Sequence, residues 1–175
     1  MVIGETQNQT DKMLLYSEGF LNYVKGVEND QLFKTGTGML QKSPEGGNDT
    51  VGYGHKLTDE EIESGKVYGY DINSLNKNQA NTILIRDLEE KNKLLTNKLG
   101  TQYTELDPRR KQMLLDIQFN VRGGIDSFPK FTDAVLNNDI NTMQEEYKRY
   151  FKNQQGEYRE LARNKSFSSF FFDEK

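Results

Sequence analysis

Cysteine and tryptophan are absent from the 175 residues, and there is only one histidine. Without cysteine, the chain has neither a disulfide framework nor a thiol nucleophile. A single histidine also excludes the usual zinc sites, which use several His or Cys ligands. The composition therefore predicts no metal and no cofactor.

Long apolar runs are missing as well, since no window approaches the roughly 18 consecutive apolar residues of a membrane span. The opening segment MVIGETQNQTDK has neither the basic nor the apolar part of an export signal. The net charge of −4 argues against a nucleic-acid binder, because phosphate recognition depends on clustered Lys and Arg. These features predict a globular protein with no membrane span and no export signal of its own.

The first third of the chain changes character near Phe20. Thr10 is a candidate cap for a first helix that Gly19 would end, which places Glu18 at a helix terminus. From Phe20 to Leu57, Gly, Thr, Asn and Tyr are frequent and no helical period is visible. This stretch predicts a small antiparallel sheet with hairpins.

The rest of the chain predicts helices. Thr58 and Glu61 form a capping box for a short helix that Gly65 ends, and Asp107 with Pro108 is a typical helix start. Apolar residues from 76 to 99 predict a helix about 35 Å long at 1.5 Å per residue. The other predicted helices cover residues 107–121, 129–136, 140–151 and 157–163.

These elements predict an α+β protein of one domain. A small antiparallel sheet lobe, residues 18–75, is joined by a long helix, residues 76–100, to a helical lobe, residues 101–175. The C-terminal segment SFSSFFFDEK has four Phe within six residues, so it either closes the core or forms a docking patch.

An acid at a helix end, followed by a Gly-rich sheet and a helical lobe, suits a cleft that binds a polymer. Glycosidic bond hydrolysis needs a proton donor and a second polar group that stabilises the reacting centre or orients water. Glu18 is the candidate donor, and its apolar neighbours Leu15, Phe20 and Leu21 predict partial burial. The alternative is a solvated Glu at a helix end.

Two segments carry a resemblance to a known family. Ser17-Glu18-Gly19-Phe20, followed by the run TVGYGHKLT from Thr50 to Thr58, resembles phage-type lysozymes of glycoside hydrolase family 24, to which T-even-phage lysozyme belongs. The order of Glu-Gly, hairpins, TVGYGH, long helix and helical lobe is similar over most of the chain. The resemblance implies a lysozyme-like fold and cleavage between N-acetylmuramic acid and N-acetylglucosamine.

The resemblance also assigns roles to residues. Glu18 matches the family's catalytic acid, and Thr50 matches a hydroxyl near the attacking water, although it is also an ordinary strand residue. The sequence departs from the family at the second carboxylate, because alignment on Glu45-Gly46 puts Ser43 where an Asp is expected. Asp49, beside Thr50, is another candidate, but strand alternation turns it to the opposite face. Glu28, Asp30 and Glu45 are further candidates for that carboxylate.

The remaining assignments concern structure and substrate contact. The resemblance pairs His55 with Asp87 on the long helix in a structural role, the alternative being an unpaired His. Phe119 and Asn120 match positions that line the saccharide site, although Phe119 also suits a helix core. Three arginines are either ligands for acidic peptide stems or part of a solvated helix face: Arg149, Arg159 and Arg163.

The resemblance implies a monomeric peptidoglycan hydrolase that acts in host lysis or in wall penetration during infection. A lysis enzyme without its own export signal needs a holin or similar partner to leave the host cytoplasm. An infection enzyme would instead be carried with the virion tail components. Two alternatives remain open: a lytic transglycosylase, which needs one acid, and a noncatalytic peptidoglycan-binding virion protein.

Overall fold

Helices and short antiparallel strands make up the computed structural model, which describes residues 9–10, 12–42, 48–153 and 155–173. A helical stretch that includes residues 12–15 comes first. The helices that follow are α1 (Glu18–Glu28), α2 (Asp30–Thr35), α3 (Asp59–Ser64), α4 (Lys77–Leu99), α5 (Thr101–Thr104), α6 (Pro108–Asn120), α7 (Pro129–Asn137), α8 (Ile140–Glu146) and α9 (Arg163–Phe171). Short 3-10 helices cover Ile72–Ser74 and Gly124–Ser127.

The strands form three small antiparallel sheets. The strands are β1 (Leu40–Gln41), β2 (Thr50–Val51), β3 (His55–Lys56), β4 (Lys66–Val67), β5 (Tyr70–Asp71), β6 (Tyr150–Lys152) and β7 (Tyr158–Glu160). β1, β2 and β3 pair in that order, β4 pairs with β5, and β6 pairs with β7. The fold is therefore α+β, as predicted. No helix within the described ranges is long and apolar enough to cross a membrane.

The chain divides into two units, and the division falls within α4. One unit combines Met1–Tyr23 with Lys91–Lys175, and the other is Val24–Glu90. The 24–90 unit has its own buried core, formed by Val51, Leu57, Val67 and Ile83. In the other unit, buried residues of α6, α7 and α9 include Leu114, Phe131, Phe167 and Phe171.

Local capping signals predicted several boundaries correctly. Thr58 accepts from the Glu61 amide in a full capping box, and Gly65 ends α3 with a φ of 67°. Asp107 accepts from the Arg110 amide and caps α6, with Pro108 at its first position. The long helix spans 23 residues, Lys77–Leu99, and begins one residue later than predicted.

The predicted strands between residues 20 and 35 were wrong, because this stretch is helical. Phe20 and Val24 are fully buried and lie four residues apart, on one face of α1. Asn29 then caps α2, since its side-chain oxygen accepts from the Leu32 amide at 3.0 Å. Only the segment from Leu40 onward forms the predicted sheet.

The predicted first helix was wrong at both ends. Thr10 is itself helical and does not precede the helix, and the stretch stops at Leu15, not at Gly19. Ser17 begins a second helix instead, because its hydroxyl oxygen accepts from the Phe20 amide at 3.4 Å. Glu18 is therefore the first residue of α1 and not the end of a helix.

The predicted helices over 140–151 and 157–163 were also wrong between Glu146 and Arg163, where the structure has two strands. The first ends at Glu146, and strands β6 and β7 follow. The side-chain amide of Asn164 accepts from the Arg149 N–H and donates to the Arg149 carbonyl, both at 2.9 Å. These bonds occupy the backbone groups that a continuing helix would need.

Candidate active site

Glu18 projects from the first turn of α1, whose start is fixed by Ser17. The Ser17 hydroxyl accepts from the Phe20 amide, and the Ser17 carbonyl accepts from the Leu21 amide at 2.9 Å. The Glu18 side chain is exposed, so the predicted partial burial was wrong. The helical geometry explains the difference, because it turns Phe20 into the core and leaves Glu18 on the surface.

Gln112, on α6, holds the segment that precedes Glu18. Its side-chain nitrogen lies within hydrogen-bond distance of the carbonyl oxygens of Leu14, at 3.1 Å, and Leu15, at 3.0 Å, and of the Ser17 hydroxyl, at 3.4 Å. Gln112 is buried, so its amide has few other partners to choose from. Sequence reasoning missed this contact, because nothing local links positions 95 or more residues apart.

Aromatic residues support the other side of α1. Phe170 stacks on Tyr23 with ring centroids 4.7 Å apart, and Phe171 packs against Tyr23 at 5.6 Å and Phe20 at 6.5 Å. Phe167 and Phe171 are almost fully buried. Of the two predicted alternatives for the C-terminal segment, core closure is therefore confirmed.

Thr50 lies on β2, the central strand of the three-stranded sheet. It is opposite Gln41 on one side and Lys56 on the other, and its hydroxyl donates to the Gln41 side-chain oxygen at 3.3 Å. The side chain is half-buried, and the hydroxyl keeps a lone pair for another partner. Thr50 belongs to the 24–90 unit, whereas Glu18 belongs to the other unit.

The candidates for the second carboxylate differ in their surroundings. Asp49 forms an ion pair with Lys42, with a distance of 2.6 Å between the two charged atoms. Ser43 and Glu45 lie outside the described residues. Glu28, at the end of α1, approaches the turn between β2 and β3: a Cβ atom added to Gly54 would lie 2.7 Å from a Glu28 carboxylate oxygen.

The turn between β2 and β3 requires its glycines. Gly54 has a φ of 90°, and Gly52 has a φ of 61° with the Ala80 Cβ 3.2 Å from where its own Cβ would be. At Gly52 the close neighbour is α4, and at Gly54 it is Glu28. Asn29 adds a hydrogen bond of 2.9 Å to the Gly52 carbonyl, which ties the α2 cap to the same turn.

His55, on β3, lies between two carboxylates. Its Nδ1 atom is 2.9 Å from Asp87 on α4, and its Nε2 atom is 3.1 Å from Glu61 on α3. Burial alone lowers the pKa of His55, but the hydrogen bonds and charges of Asp87 and Glu61 outweigh burial and raise the pKa above its ordinary value. The sequence resemblance named Asp87 as the partner, whereas Glu61 was recognised only as a capping residue.

Tyr68 extends this cluster. Its hydroxyl donates to Asp87 at 2.8 Å and to Glu90 at 3.2 Å, and its ring meets His55 edge-on at 5.7 Å between centroids. The Arg86 guanidinium lies 5.2 Å from the centroid of the Tyr68 ring. The cluster ties β3, α3 and α4 together inside the 24–90 unit.

Asn120, a predicted substrate contact, uses its side chain for internal bonds. Its oxygen accepts from Arg149 at 2.7 Å, and its nitrogen donates to the Asp116 carbonyl. Phe119 is half-buried on the same helix. The Asn120 side chain is therefore used at least in part for contacts within the protein, whereas Phe119 keeps both predicted alternatives.

Asp116 is a buried carboxylate that sequence reasoning missed. It is fully buried and pairs with Arg149 at 2.5 Å and with Arg163 at 2.7 Å. Burial alone raises the pKa of Asp116, but the charges of Arg163 and Arg149 outweigh burial and lower it. Two of the three arginines proposed as ligands are thus held by Asp116, and Arg159 is exposed beside Glu157. In the sequence, the signal of a buried acid was its position among the apolar residues Leu114, Leu115 and Ile117.

Comparison with known proteins gives one match. The family model described as Phage lysozyme covers residues 36–166, three quarters of the chain. Glu18 lies before the matched segment, whereas Thr50, His55, Asp87 and Asn120 lie within it. Searches of curated proteins and of solved structures returned no match. Within the described ranges, no group of three or more His, Asp or Glu side chains is arranged to hold a metal ion.

Proposed function

The chain belongs to the phage lysozyme family, and from that membership we propose that it is a muramidase. Membership implies a glycoside hydrolase whose substrate is peptidoglycan. The proposed bond is the β-1,4 link between N-acetylmuramic acid and N-acetylglucosamine. The family match is the observation that carries the proposal, and the exposed carboxyl group of Glu18 is the proposed acid.

In the proposed reaction, Glu18 protonates the glycosidic oxygen as the bond to the sugar breaks. Thr50 then holds a water that attacks the oxocarbenium-like centre, and a nearby carboxylate takes the proton of that water. Glu28, Asp30, Glu45 and Asp49 are the candidates for this base. The Asp49 carboxylate lies 2.6 Å from the Lys42 ammonium.

A lytic transglycosylase is the second candidate, because that reaction needs only one carboxylate. The C6 hydroxyl of the muramic acid residue would attack its own anomeric carbon, and Glu18 would act first as acid and then as base. We favour hydrolysis because Thr50 is retained with a hydroxyl that can bind water. Mass spectrometry of the products separates the two reactions, since transglycosylation gives a 1,6-anhydro end that is lighter by one water.

The test of the proposed function is the Glu18→Gln variant on purified peptidoglycan. We expect it to release no soluble muropeptides while its melting temperature stays the same or rises slightly, since an exposed functional charge contributes little to stability. Glu60→Gln is the matched control, because Glu60 is also exposed in the first turn of a capped helix. Muropeptide release by Glu18→Gln at the wild-type rate would contradict the proposal, and an inactive wild-type protein would favour the noncatalytic wall-binding alternative.

The biological setting that we propose is phage infection. In host lysis, a holin would release the enzyme from the cytoplasm to the periplasm and wall. In wall penetration, the virion tail would deliver it. In both settings we propose a monomer.

A further inference from the structure

Strands β6 and β7 form a hairpin whose six residues are all exposed, and we call it the aromatic hairpin. The most exposed rings are Tyr158 (71% exposed), Tyr150 (53%) and Phe151 (44%). An isolated two-stranded hairpin gains little from burial and is marginal in water by itself. Clustered exposed aromatic residues are typical of a binding surface.

The pairing register places the aromatic residues on both faces of the hairpin. Lys152 is opposite Tyr158 and Tyr150 is opposite Glu160, and these four side chains share one face. Phe151 and Arg159 are opposite each other and share the other face. The Lys152 ammonium lies 5.1 Å from the centroid of the Tyr158 ring, a cation–π distance that favours one ring orientation.

The base of the aromatic hairpin is anchored in the buried part of its unit. The Asn164 amide bonds both backbone groups of Arg149, and the Leu161 amide donates to the Arg149 carbonyl at 3.0 Å. The Arg149 guanidinium is in turn held by the fully buried Asp116. The exposed rings are therefore presented from a fixed base, which reduces the entropy lost on binding.

The charge of this segment is opposite to that of the whole chain. Residues 148–165 contain six Lys or Arg and two Glu, whereas the full chain has a net charge of −4. Part of this charge is compensated within the protein, because Arg149 and Arg163 pair with Asp116, Arg159 pairs with Glu157 and Lys148 pairs with Glu160. Its exposed cations include Lys152 and Arg159. The exposed rings, with the Lys152 ammonium over the Tyr158 ring, complement a polymer of sugar rings that carries carboxylates.

The charged residues of the hairpin argue against a second copy of this chain as the partner. Lys152, Arg159 and Glu160 lie on the strands themselves, and charged side chains on short edge strands oppose edge-to-edge pairing. Tyrosine rings, in contrast, combine an apolar face with a polar hydroxyl, which suits the face of a pyranose ring and its hydroxyl groups.

We propose that the aromatic hairpin binds the glycan strand of peptidoglycan outside the bond-cleaving residues. Tyr158 and Tyr150 contact sugar rings, and Lys152 and Arg159 face carboxylates of the wall polymer. The choice of this polymer rests on the proposed function. The hairpin would then retain the acidic enzyme on an anionic wall between cleavage events.

The test measures binding of full-length protein to purified insoluble peptidoglycan by co-sedimentation. We expect Tyr158→Ala to weaken binding roughly threefold to tenfold, the range given by losing one ring contact, and Tyr150→Ala/Tyr158→Ala to weaken it further. The matched control is Ile140→Ala, since Ile140 is also exposed (56%) in the same unit but lies off the hairpin. Turnover of a soluble, short peptidoglycan fragment should stay at the wild-type value in all three variants.

Wild-type binding by the double variant would overturn the inference, even if the wild-type enzyme cleaves peptidoglycan. Equal losses of peptidoglycan binding in the double variant and in Ile140→Ala would overturn it as well. So would sedimentation velocity that shows a dimer of the wild-type protein and only a monomer of the double variant. If the wild-type protein binds through the hairpin but releases no muropeptides, the proposed function fails and the binding inference stands.

Discussion

Three carboxyl groups of this chain have different surroundings in the structure, although the sequence around each of them predicts only an ordinary helix or strand. Glu18 is exposed, Asp49 is paired with Lys42, and Asp116 is fully buried between two arginines. Their neighbours along the chain did not distinguish them, because each environment depends on residues distant in sequence. Of these three carboxyl groups, only Glu18 is exposed, which suits a group that must reach a substrate.

Thr50 carries the residue-scale prediction. Thr50→Ala should lower kcat on the order of tenfold to a hundredfold, because loss of the hydroxyl leaves the attacking water poorly positioned. Wall binding should change little, since the substitution adds no charge and removes little surface. Thr50→Ser is the control, because it keeps the hydroxyl and should retain most of the activity.

Steady-state kinetics on a soluble fragment, combined with co-sedimentation on intact wall, measure the two effects separately. A Thr50→Ala enzyme with wild-type kcat would leave Thr50 as an ordinary strand residue that pairs with Gln41. Equal losses in Thr50→Ala and Thr50→Ser would point to sheet packing instead of the hydroxyl.

At the scale of elements, the His55 cluster joins one strand and two helices of the 24–90 unit. Asp87 and Glu61 hold both ring nitrogens of His55, and this arrangement favours the doubly protonated imidazolium. The pKa of His55 is raised, so its contribution to stability is fully present below the unfolded value of about 6.5 and is lost as the pH rises through the higher folded value.

Glu61 adds the opposite dependence at low pH. Burial alone raises the pKa of Glu61, but hydrogen bonds from Thr58 and His55 outweigh burial and lower it. Its contribution is present above the unfolded value of about 4.3 and is lost as the pH falls through the lower folded value. The cluster is therefore most stabilising between the ordinary pKa of Glu, about 4.3, and the ordinary pKa of His, about 6.5.

A single NMR titration tests this prediction, because the chain contains only one histidine and its ring signal is unambiguous. We expect a midpoint above the ordinary value, and a lower midpoint in Asp87→Asn and in Glu61→Gln. The melting-temperature difference between wild type and His55→Gln should shrink as the pH rises through that midpoint. An unshifted midpoint in the wild-type protein would refute the double pairing.

The other element-scale result concerns residues 147–163, where two helices were predicted and a hairpin is found. The polar pattern of this stretch suits both structures, so local propensity did not decide between them. The choice depends on Asn164 and on the Asp116 pair with Arg149, and these contacts join positions 15 and 33 residues apart. Burying such a charge pair fixes Arg149 in one place, since an unpaired charge at that depth costs about 3–5 kcal/mol.

At the scale of the whole molecule, an acidic chain has a basic segment near its C-terminus. An enzyme with a net charge of −4 is repelled on average by an anionic wall, but residues 148–165 are positive. We expect added salt to weaken attack on intact wall, because the screening length falls to about 10 Å at 0.1 M.

The salt prediction is checked by comparing rates on intact wall and on a small uncharged oligosaccharide at 0.01 and 0.3 M salt, both chosen to bracket about 0.1 M. The wall rate should fall severalfold with salt, and the oligosaccharide rate should stay nearly constant. Lys152→Gln should reduce the salt dependence on the wall. Wall rates that do not change with salt would favour physical delivery of the enzyme over electrostatic attraction.

The sequence by itself determined the features that depend on short segments. The capping box at Thr58, the Asp107-Pro108 start and the long apolar stripe of α4 are local, because each involves residues within a few turns of one another. The motif TVGYGH and its glycines also indicated the family, since a tight turn needs particular backbone conformations wherever it occurs.

Tertiary structure decided what joins distant positions. It made residues 20–35 helical because burial of Phe20 and Val24 outweighed their Gly- and Asn-rich surroundings, and it exposed Glu18 by starting α1 at Ser17. It also assigned Glu61 to His55, Gln112 to the segment before Glu18 and Asp116 to two arginines. The physical reason is common to all of them: a buried polar group takes the partner that packing brings within about 3 Å, and that partner is rarely its neighbour in sequence.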